Sequence, residues 1–237
     1  MSAAVVFGAG GGVGGALADH LAASGRYTPV YVGARRPLPP GPHQIPFVYD
    51  LTDEDSIFKA ASDIETPPAL VLVASGMLHD KSRSITPEKT LRAIQPEAMA
   101  RLFSVNTIGP ALIAKHMLRK FPRDRPAVFA VLSARVGSIG DNRLGGWHGY
   151  RASKAALNML IVNFAIEMRR THPLAVVVAL HPGTVESGLS EPFHAGVKPW
   201  KLFSPDTAAT HLLDVIDRLV PDDSGGFFAW DGTRLPW

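Results

Sequence analysis

The sequence predicts a single doubly wound α/β domain, a parallel sheet with helices on both faces, and three observations predict it. Short apolar runs rich in Val, Ala and Leu recur along the chain, and continuous runs of this kind suit strands covered on both faces. Longer stretches with apolar residues at helical spacing separate them, and strict β-α-β-α alternation points to parallel strands. A glycine cluster, GAGGGVGG, follows the first run at once, where the chain must turn tightly from strand into helix.

Taken in order, AAVVFG at 3–8 is the first strand and VGGALADHLAASG at 13–25 the first helix. PVYVGA at 29–34 is the second strand and FVY at 47–49 a short third. RRPLPPGPHQIP, 35–46, reads as a stiff loop between them, too short to mark a domain boundary. DEDSIFKAASDI at 53–64 is helical and ALVLVAS at 69–75 a strand. PEAMARLFSVNTIGPALIAKHMLRKF, 96–121, predicts one long helix before the strand AVFAVLS at 127–133. SKAALNMLIVNFAIEMRRTH, 153–172, leads to LAVVVALHP at 174–182, and FFAWDG near the C-terminus adds a last strand. No repeat or linker divides the chain, so residues 1–237 are expected to form one domain. The stretch 184–203, with Gly, Pro, Ser and the aromatics Phe193 and Trp200, is expected to be a substrate loop or lid.

At 237 residues the chain can bury a sizeable core, and 46% hydrophobic with 19% charged residues is a globular composition. No run of about 18 consecutive apolar residues predicts a membrane span. The start, MSAAVVFGAG, lacks the basic residues of a signal peptide. The absence of cysteine excludes disulfides, thiol catalysis and Cys-based zinc sites, and fits a reducing, cytoplasmic setting. The net charge of +3 is scattered, which predicts a solvated surface and no nucleic-acid stripe. Nine histidines never take a HExxH-like spacing, so no metal site is expected.

The glycines carry the first chemical signal. Gly8, Gly12 and Gly14 form GxxxGxG directly after the first strand, and the same string also matches GxGxxG from Gly10 to Gly15. Without Cβ atoms the turn takes unusual backbone angles and lets a pyrophosphate approach the N–H groups of a helix N-terminus. Strand, glycine turn and helix together predict dinucleotide binding. The second strand ends in GARR, and no Asp or Glu occurs between Ala22 and Tyr49. An acid there would bind the ribose hydroxyls of NAD, whereas Arg35 pairs with the extra phosphate of NADP, so NADP(H) is favoured over NAD(H). Asp50 after the third strand has two readings, holding the adenine amino group or capping the helix near Glu54.

Tyr150 and Lys154, in GGWHGYRASKAAL, lie one helical turn apart on one face. A phenol is a poor acid or base at neutral pH unless a nearby positive charge stabilises its phenolate, and an ammonium at this spacing is suited to that. At this point the chain resembles the short-chain dehydrogenase/reductase family over nearly its whole length. GAGGGVG, with Gly8, Gly12, Val13 and Gly14, looks like the family's cofactor loop. Asp50-Leu51 looks like its adenine contact, Gly76 like its close backbone approach, Asn106 in SVNTIG like its helix-borne asparagine, and Tyr150-Arg-Ala-Ser-Lys154 like its YxxxK. His181-Pro182-Gly183, with Val185 just beyond, resembles its turn beside the nicotinamide. SARVGSIGDNRLGGW, YRASKAAL and WDGTRLPW look most like the branch containing the C-factor and sniffer-type carbonyl reductases.

The resemblance implies a Rossmann-type domain that moves hydride between NADP(H) and a carbonyl or alcohol substrate. Tyr150 would be the acid/base, Lys154 would lower its pKa and hold ribose, and Asn106 would support a proton relay. It also implies a homodimer or homotetramer packed through helices 96–120 and 150–170. The family's SSxxG is here Ser133-Ala134-Arg135-Val136-Gly137, with alanine in the second place. Ser133 is assigned to position the substrate carbonyl, with Ser138 as the fallback. Ala74-Ser75-Gly76 likewise replaces Asn-Ala-Gly. The apolar loops around the site, with Met77, Leu78, Phe193 and Trp200, point to a medium-sized hydrophobic carbonyl compound. A second reading is a cofactor-binding signalling or redox-sensing protein with little turnover.

Overall fold

The structure is a computed structural model and describes residues 2–191 and 199–237; Phe193 of the expected lid lies outside the described residues. Strands β1 (Ala3–Phe7), β2 (Val30–Ala34), β3 (Gln44–Val48), β4 (Pro68–Val73), β5 (Ala127–Leu132), β6 (Ala175–His181) and β9 (Phe227–Ala229) form one sheet. Their order is β3-β2-β1-β4-β5-β6-β9, and every pairing is parallel. Two short strands, β7 (Thr184–Val185) and β8 (Leu202–Phe203), pair apart from it. The order reverses between β1 and β4, and the crevice beyond strand C-termini at such a reversal is where this architecture binds ligands.

The apolar runs become strands because both faces are covered. Ala3, Val5 and Phe7 of β1 pack with Ile57, Ile113 and Leu157 in one layer. Ala4 and Val6, pointing the other way, pack with Leu17, Leu21 and Leu212 in the other. Period-2 alternation thus feeds two helical layers. The first layer holds α2 (Glu54–Asp63), α4 (Gly109–Met117) and α5 (His148–Thr171), and the second holds α1 (Gly12–Ala23) and α6 (Pro205–Ile216). Helix α6 is an element missing from the sequence expectations. Its signal was local: Ser204 caps Thr207 N–H at 3.1 Å, Pro205 opens the helix, and Ala208, Ala209, Leu212, Val215 and Ile216 are buried at helical spacing.

Three boundaries differ from expectation for physical reasons. Strand β3 takes in Ile45 and Pro46 from the expected loop, which is possible because β3 is an edge strand where proline removes no central bond. The single helix expected over 96–121 divides into α3 (Pro96–Phe103), a π-helical segment Ser104–Ile108, and α4. Pro110 has no N–H to give the Asn106 carbonyl four residues back, and its ring crowds that carbonyl, so the backbone widens there. Helix α5 begins at His148, five residues before the apolar run 153–172, and its first turn holds Tyr150, which the one-turn spacing to Lys154 already predicts to be helical. Of its apolar face, Leu157, Ile161 and Met168 are buried in the core, while Met159 and Ile166 are exposed on the opposite side. No helix among the described residues is long and apolar enough to cross a membrane.

The β1–α1 turn depends on missing Cβ atoms. Gly8 has φ +96°, and a Cβ on Gly14 would stand 2.1 Å from the Gly8 carbonyl oxygen. Gly14→Ala is expected to cost about 3 kcal/mol through forced overpacking, which lowers Tm by roughly 6–12 °C in a chain of this size. Gly11→Ala, with its nearest neighbour at 3.4 Å, should leave Tm almost unchanged. Equal melting of the two variants in a thermal scan would refute this account of the turn.

Candidate active site

The C-terminal ends of β4 and β5, the π segment and the first turn of α5 converge. Asn106 is fully buried, its Oδ1 accepts from Met77 N–H at 2.8 Å, and its Nδ2 donates to the Met77 carbonyl at 2.8 Å and to Ser153 Oγ at 3.0 Å. The asparagine therefore ties the segment after β4 to α5. The π bulge is what presents it, since Asn106 is the residue whose helical acceptor role Pro110 removes. Ser153 Oγ donates onward to the Tyr150 carbonyl at 2.8 Å, and Thr107 Oγ1 donates to the Ser153 carbonyl at 2.7 Å.

Lys154 is 3% exposed and its Nζ donates to the Leu132 carbonyl at the end of β5, at 2.8 Å. This close approach requires Gly137, where a Cβ would lie 2.6 Å from Lys154 Cβ. A Cβ on Gly76 would stand 3.6 Å from both Lys154 Nζ and Asn106 Oδ1, so Gly76, Asn106 and Lys154 share one small volume. Burial lowers the Lys154 pKa to about 8. Tyr150 is buried with Leu78 and Leu102, and Met77, Ala134, Val136, Trp147 and Leu189 pack against that cluster. Burial alone pushes the phenol above its ordinary value of 10. In the protein by itself, desolvation by apolar neighbours sets the direction of the phenol's shift.

Both candidate serines are hydrogen-bonded to neighbouring groups. Ser133 Oγ donates to Asn158 Oδ1 at 2.6 Å, both groups buried, and Asn158 Nδ2 reaches the Gly137 carbonyl at 3.5 Å. Ser138 is 2% exposed and its Oγ accepts from Asp141 N–H at 3.0 Å. Alternation along the strand end turns Ser133 into the packing between β5 and α5, and Ala134 is the residue that meets the Tyr150 cluster.

A cleft of about 1170 Å³ runs along this edge of the sheet. Gly8, Gly10 and Gly11 line its floor, Arg35, Arg36, Asp50 and Leu51 one end, and Gly76 to Asp80 with Gly188 and Leu189 the other. Gly12, Val13 and Gly14 are not among its lining residues; Gly14 is packed on the Gly8 carbonyl instead. Gly10, Arg36 and Ser75, each noted in the sequence, line the cleft, and so do Gly11 and Arg101, which were not singled out there. The glycine run was too rich to fix a register, and Arg101 had no motif. Asp50 Oδ1 accepts from Thr52 N–H and Oγ1, each at 2.8 Å, and these bonds hold its carboxyl below the ordinary range. The helix-capping role falls to Asp53, whose Oδ1 accepts from Asp55 N–H at 3.0 Å. Ser75 Oγ bonds the Tyr49 hydroxyl at 2.9 Å, and burial pushes that phenol up to about 12.

Pro182, Gly183 and Val185 lie beyond β6 and do not line the cleft. Gly183 has φ +79°, and a Cβ there would meet the Phe203 ring at 2.7 Å; Val185 pairs with Phe203 in the small second sheet. His79 Nε2 bonds the Gly188 carbonyl at 3.0 Å, so the segments after β4 and β7 touch across the cleft. Among the described residues, no group of three or more metal-ligating side chains is assembled.

Comparison with known proteins agrees with this geometry. The C-signal of Myxococcus xanthus is 37% identical over 139 residues, 59% of this chain and 78% of that protein. The 1-hydroxy-2-glutathionyl-2-methyl-3-butene dehydrogenase of Rhodococcus sp. strain AD45 is 36% identical over 146 residues, 60% of this chain but only 59% of the enzyme. Among solved structures, an NADPH-bound carbonyl reductase from chicken fatty liver superposes with a TM-score of 0.84 at 24% identity, covering 100% of this chain and 94% of that one. The carbonyl reductase Sniffer of D. melanogaster gives 0.84 at 21% identity, covering 100% and 99%. At these identities the two structures establish a shared fold. The model of the short chain dehydrogenase family matches residues 2–198, and with that match the chain belongs to the short-chain dehydrogenase family of NAD(P)-dependent oxidoreductases.

Proposed function

We propose that the chain is an NADP(H)-dependent carbonyl reductase in which Tyr150 delivers the proton to the substrate oxygen. The observation that carries this reading is that Lys154 and Asn106 meet at Gly76, which lines the cleft, while Tyr150 packs in one cluster with the cleft residues Met77, Leu78 and Leu189. The cleft suits a dinucleotide: its floor is glycine, Gly76 leaves room beside Lys154, and Arg101 Nε is buried with no partner among the described residues. Arg35 and Arg36 at the Asp50 end suit the additional phosphate of NADP, and two structural neighbours are described as NADPH- or NADP-bound. When bound, the nicotinamide supplies the hydride.

The residues of the chain do the rest. Burial keeps the Tyr150 phenol protonated at neutral pH, which is the state needed to donate a proton to a carbonyl oxygen as it gains negative charge. Lys154, buried behind it, offers the positive charge that favours the resulting phenolate and a donor for ribose hydroxyls. The apolar surroundings of Tyr150 exclude water and favour an apolar aldehyde or ketone. With Ser133 committed to Asn158 and Ala134 against the Tyr150 cluster, Tyr150 is the polar group left to grip the carbonyl. The same feature carries a second reading, a cofactor-binding signalling protein with little turnover, to which the resemblance to the C-signal lends support.

Turnover of NADPH with a panel of aldehydes, ketones and diketones decides between them. Tyr150→Phe is expected to lower kcat by at least about 10²-fold, the scale of a lost general acid, with NADPH affinity within about threefold. If wild type binds NADPH yet reduces no carbonyl, the signalling reading stands and the reductase reading falls. Ala134→Ser should raise kcat/KM about tenfold by placing a second donor beside Tyr150; an unchanged or lower value would show that the site is not short of a donor.

Lys154 also makes a stability prediction. Between pH 8 and 10.5 the unfolded chain carries a proton that the folded chain has lost, so stability rises with pH across that window and the burial cost is complete below about 8. That cost, roughly 3 kcal/mol, exceeds the one bond to the Leu132 carbonyl, worth about 1–2 kcal/mol. Lys154→Met is therefore expected to raise Tm at pH 7 without cofactor, to flatten the slope between pH 8 and 10.5, and to abolish reduction. A lower Tm across the whole pH range would contradict the buried-charge account.

A further inference from the structure

Tyr150 is the third residue of α5, and the first turn of that helix has no side-chain N-cap from its own segment. The capping position is Trp147, in a left-handed conformation (φ +50°, ψ +44°) with no side-chain capping bond. The helix start instead meets Glu88, 61 residues earlier in the chain, in the connection between β4 and α3. Gly149 N–H donates to both Glu88 carboxylate oxygens, each at 3.2 Å. Trp147 N–H donates to the Glu88 carbonyl at 2.6 Å. Gly149 makes the approach possible, because a Cβ there would lie 2.9 Å from Glu88 Oε1 and 2.8 Å from Leu102 Cδ1. Leu102 itself belongs to the Tyr150 cluster.

Glu88 is only 5% exposed, and among the described residues no ion pair compensates it. A carboxylate without a cation is costly to bury, and an apolar side chain of similar size would pack the same space more favourably. What Glu88 adds is an acceptor for an orphan donor and a negative charge at the positive end of a 24-residue helix.

We infer that Glu88 is a positioning residue, a cap supplied from a distant segment that fixes the first turn of α5 and with it the Tyr150 hydroxyl. The inference rests on Tyr150 being the proton donor, but the capping itself can be read without turnover. A displacement of about 1 Å in a reacting group costs on the order of 10²-fold in rate, so loosening this turn acts on kcat. Lys154 is held a turn further along α5 by the Leu132 carbonyl, the glycine and arginine parts of the cleft lie on other elements, and Tyr150 grips the carbonyl oxygen chiefly as it gains charge, so KM and NADPH affinity should move little.

The test compares Glu88→Ala, Glu88→Asp and Glu88→Gln in the full chain. Gln keeps an oxygen within reach of Gly149 N–H, whereas Asp keeps the charge but withdraws it by one methylene. Expected are a 10- to 100-fold loss of kcat in Ala and Asp, with KM and NADPH Kd within about twofold, and recovery to within about threefold of wild type in Gln. Amide exchange at Gly149 and Arg151 should quicken at least tenfold in Ala and Asp and stay near wild type in Gln. If Ala does not fold, the contrast between Asp and Gln decides. Unchanged exchange at Gly149 and Arg151 in Asp, or a kcat in Asp and Ala equal to wild type, overturns the inference. If wild type itself reduces no carbonyl, the reductase reading fails, and the link to Tyr150 with it, whatever the exchange shows.

Discussion

The site depends on how closely helix α5 approaches the end of strand β5. Gly137 has no Cβ to hold the helix off, so Lys154 can place its ammonium against the Leu132 carbonyl and beside Gly76. Three elements are locked by that one approach. The segment after β5 is turned so that Ser133 faces Asn158 and Ala134 faces Tyr150. The segment after β4 is drawn to the helix through Asn106. A lysine that would normally be solvated is buried, at a cost only cofactor and substrate binding would justify.

That cost is characteristic of the whole site. Tyr150 is buried among apolar side chains, Glu88 is a carboxylate without a cation, and Asn106 interrupts a helix at a π bulge. Each departs from what packing alone would choose, and all lie within one helical turn of α5 or directly against it. The central strands β1, β4 and β6 are by contrast built chiefly of Val, Ala and Leu that are buried to within a few per cent. Stability is supplied by the layers, and strain and desolvation are concentrated where chemistry is proposed.

Electrostatics divides the cleft into two ends. Arg35 and Arg36 make the Asp50 end basic, suited to a phosphate, while Met77, Leu78 and Leu189, which pack with Tyr150, give the other end an apolar wall. A charged cofactor and an apolar carbonyl would thus be sorted by opposite physical preferences along one groove. The bond from His79 to the Gly188 carbonyl crosses between the segments that wall the apolar end, so access there is controlled by loops rather than by the sheet.

Much of this was determined by the sequence itself. Continuous apolar runs could only be strands buried on both faces, their alternation with helices required a parallel sheet, and glycines after β1 and a Tyr-Lys pair at one-turn spacing marked a tight turn and a candidate acid/base pair. Those signals are local, and local periodicity and backbone sterics act within a few residues. The tertiary structure alone decided what depended on contacts between distant segments. It turned Ser133 into the core and Ala134 toward Tyr150, because the helix partner Asn158 is 25 residues away. It set Gly8, Gly10 and Gly11 along the cleft while Gly12 packs against Pro205 and Gly14 against Gly8, because tertiary contacts alone separate neighbouring glycines. It set the burial that raises the Tyr150 pKa in the protein by itself, because desolvation is set by every neighbour in space. And it brought Glu88 to Gly149 across 61 residues, since hydrogen-bond partners are chosen by the fold and not by their distance along the chain.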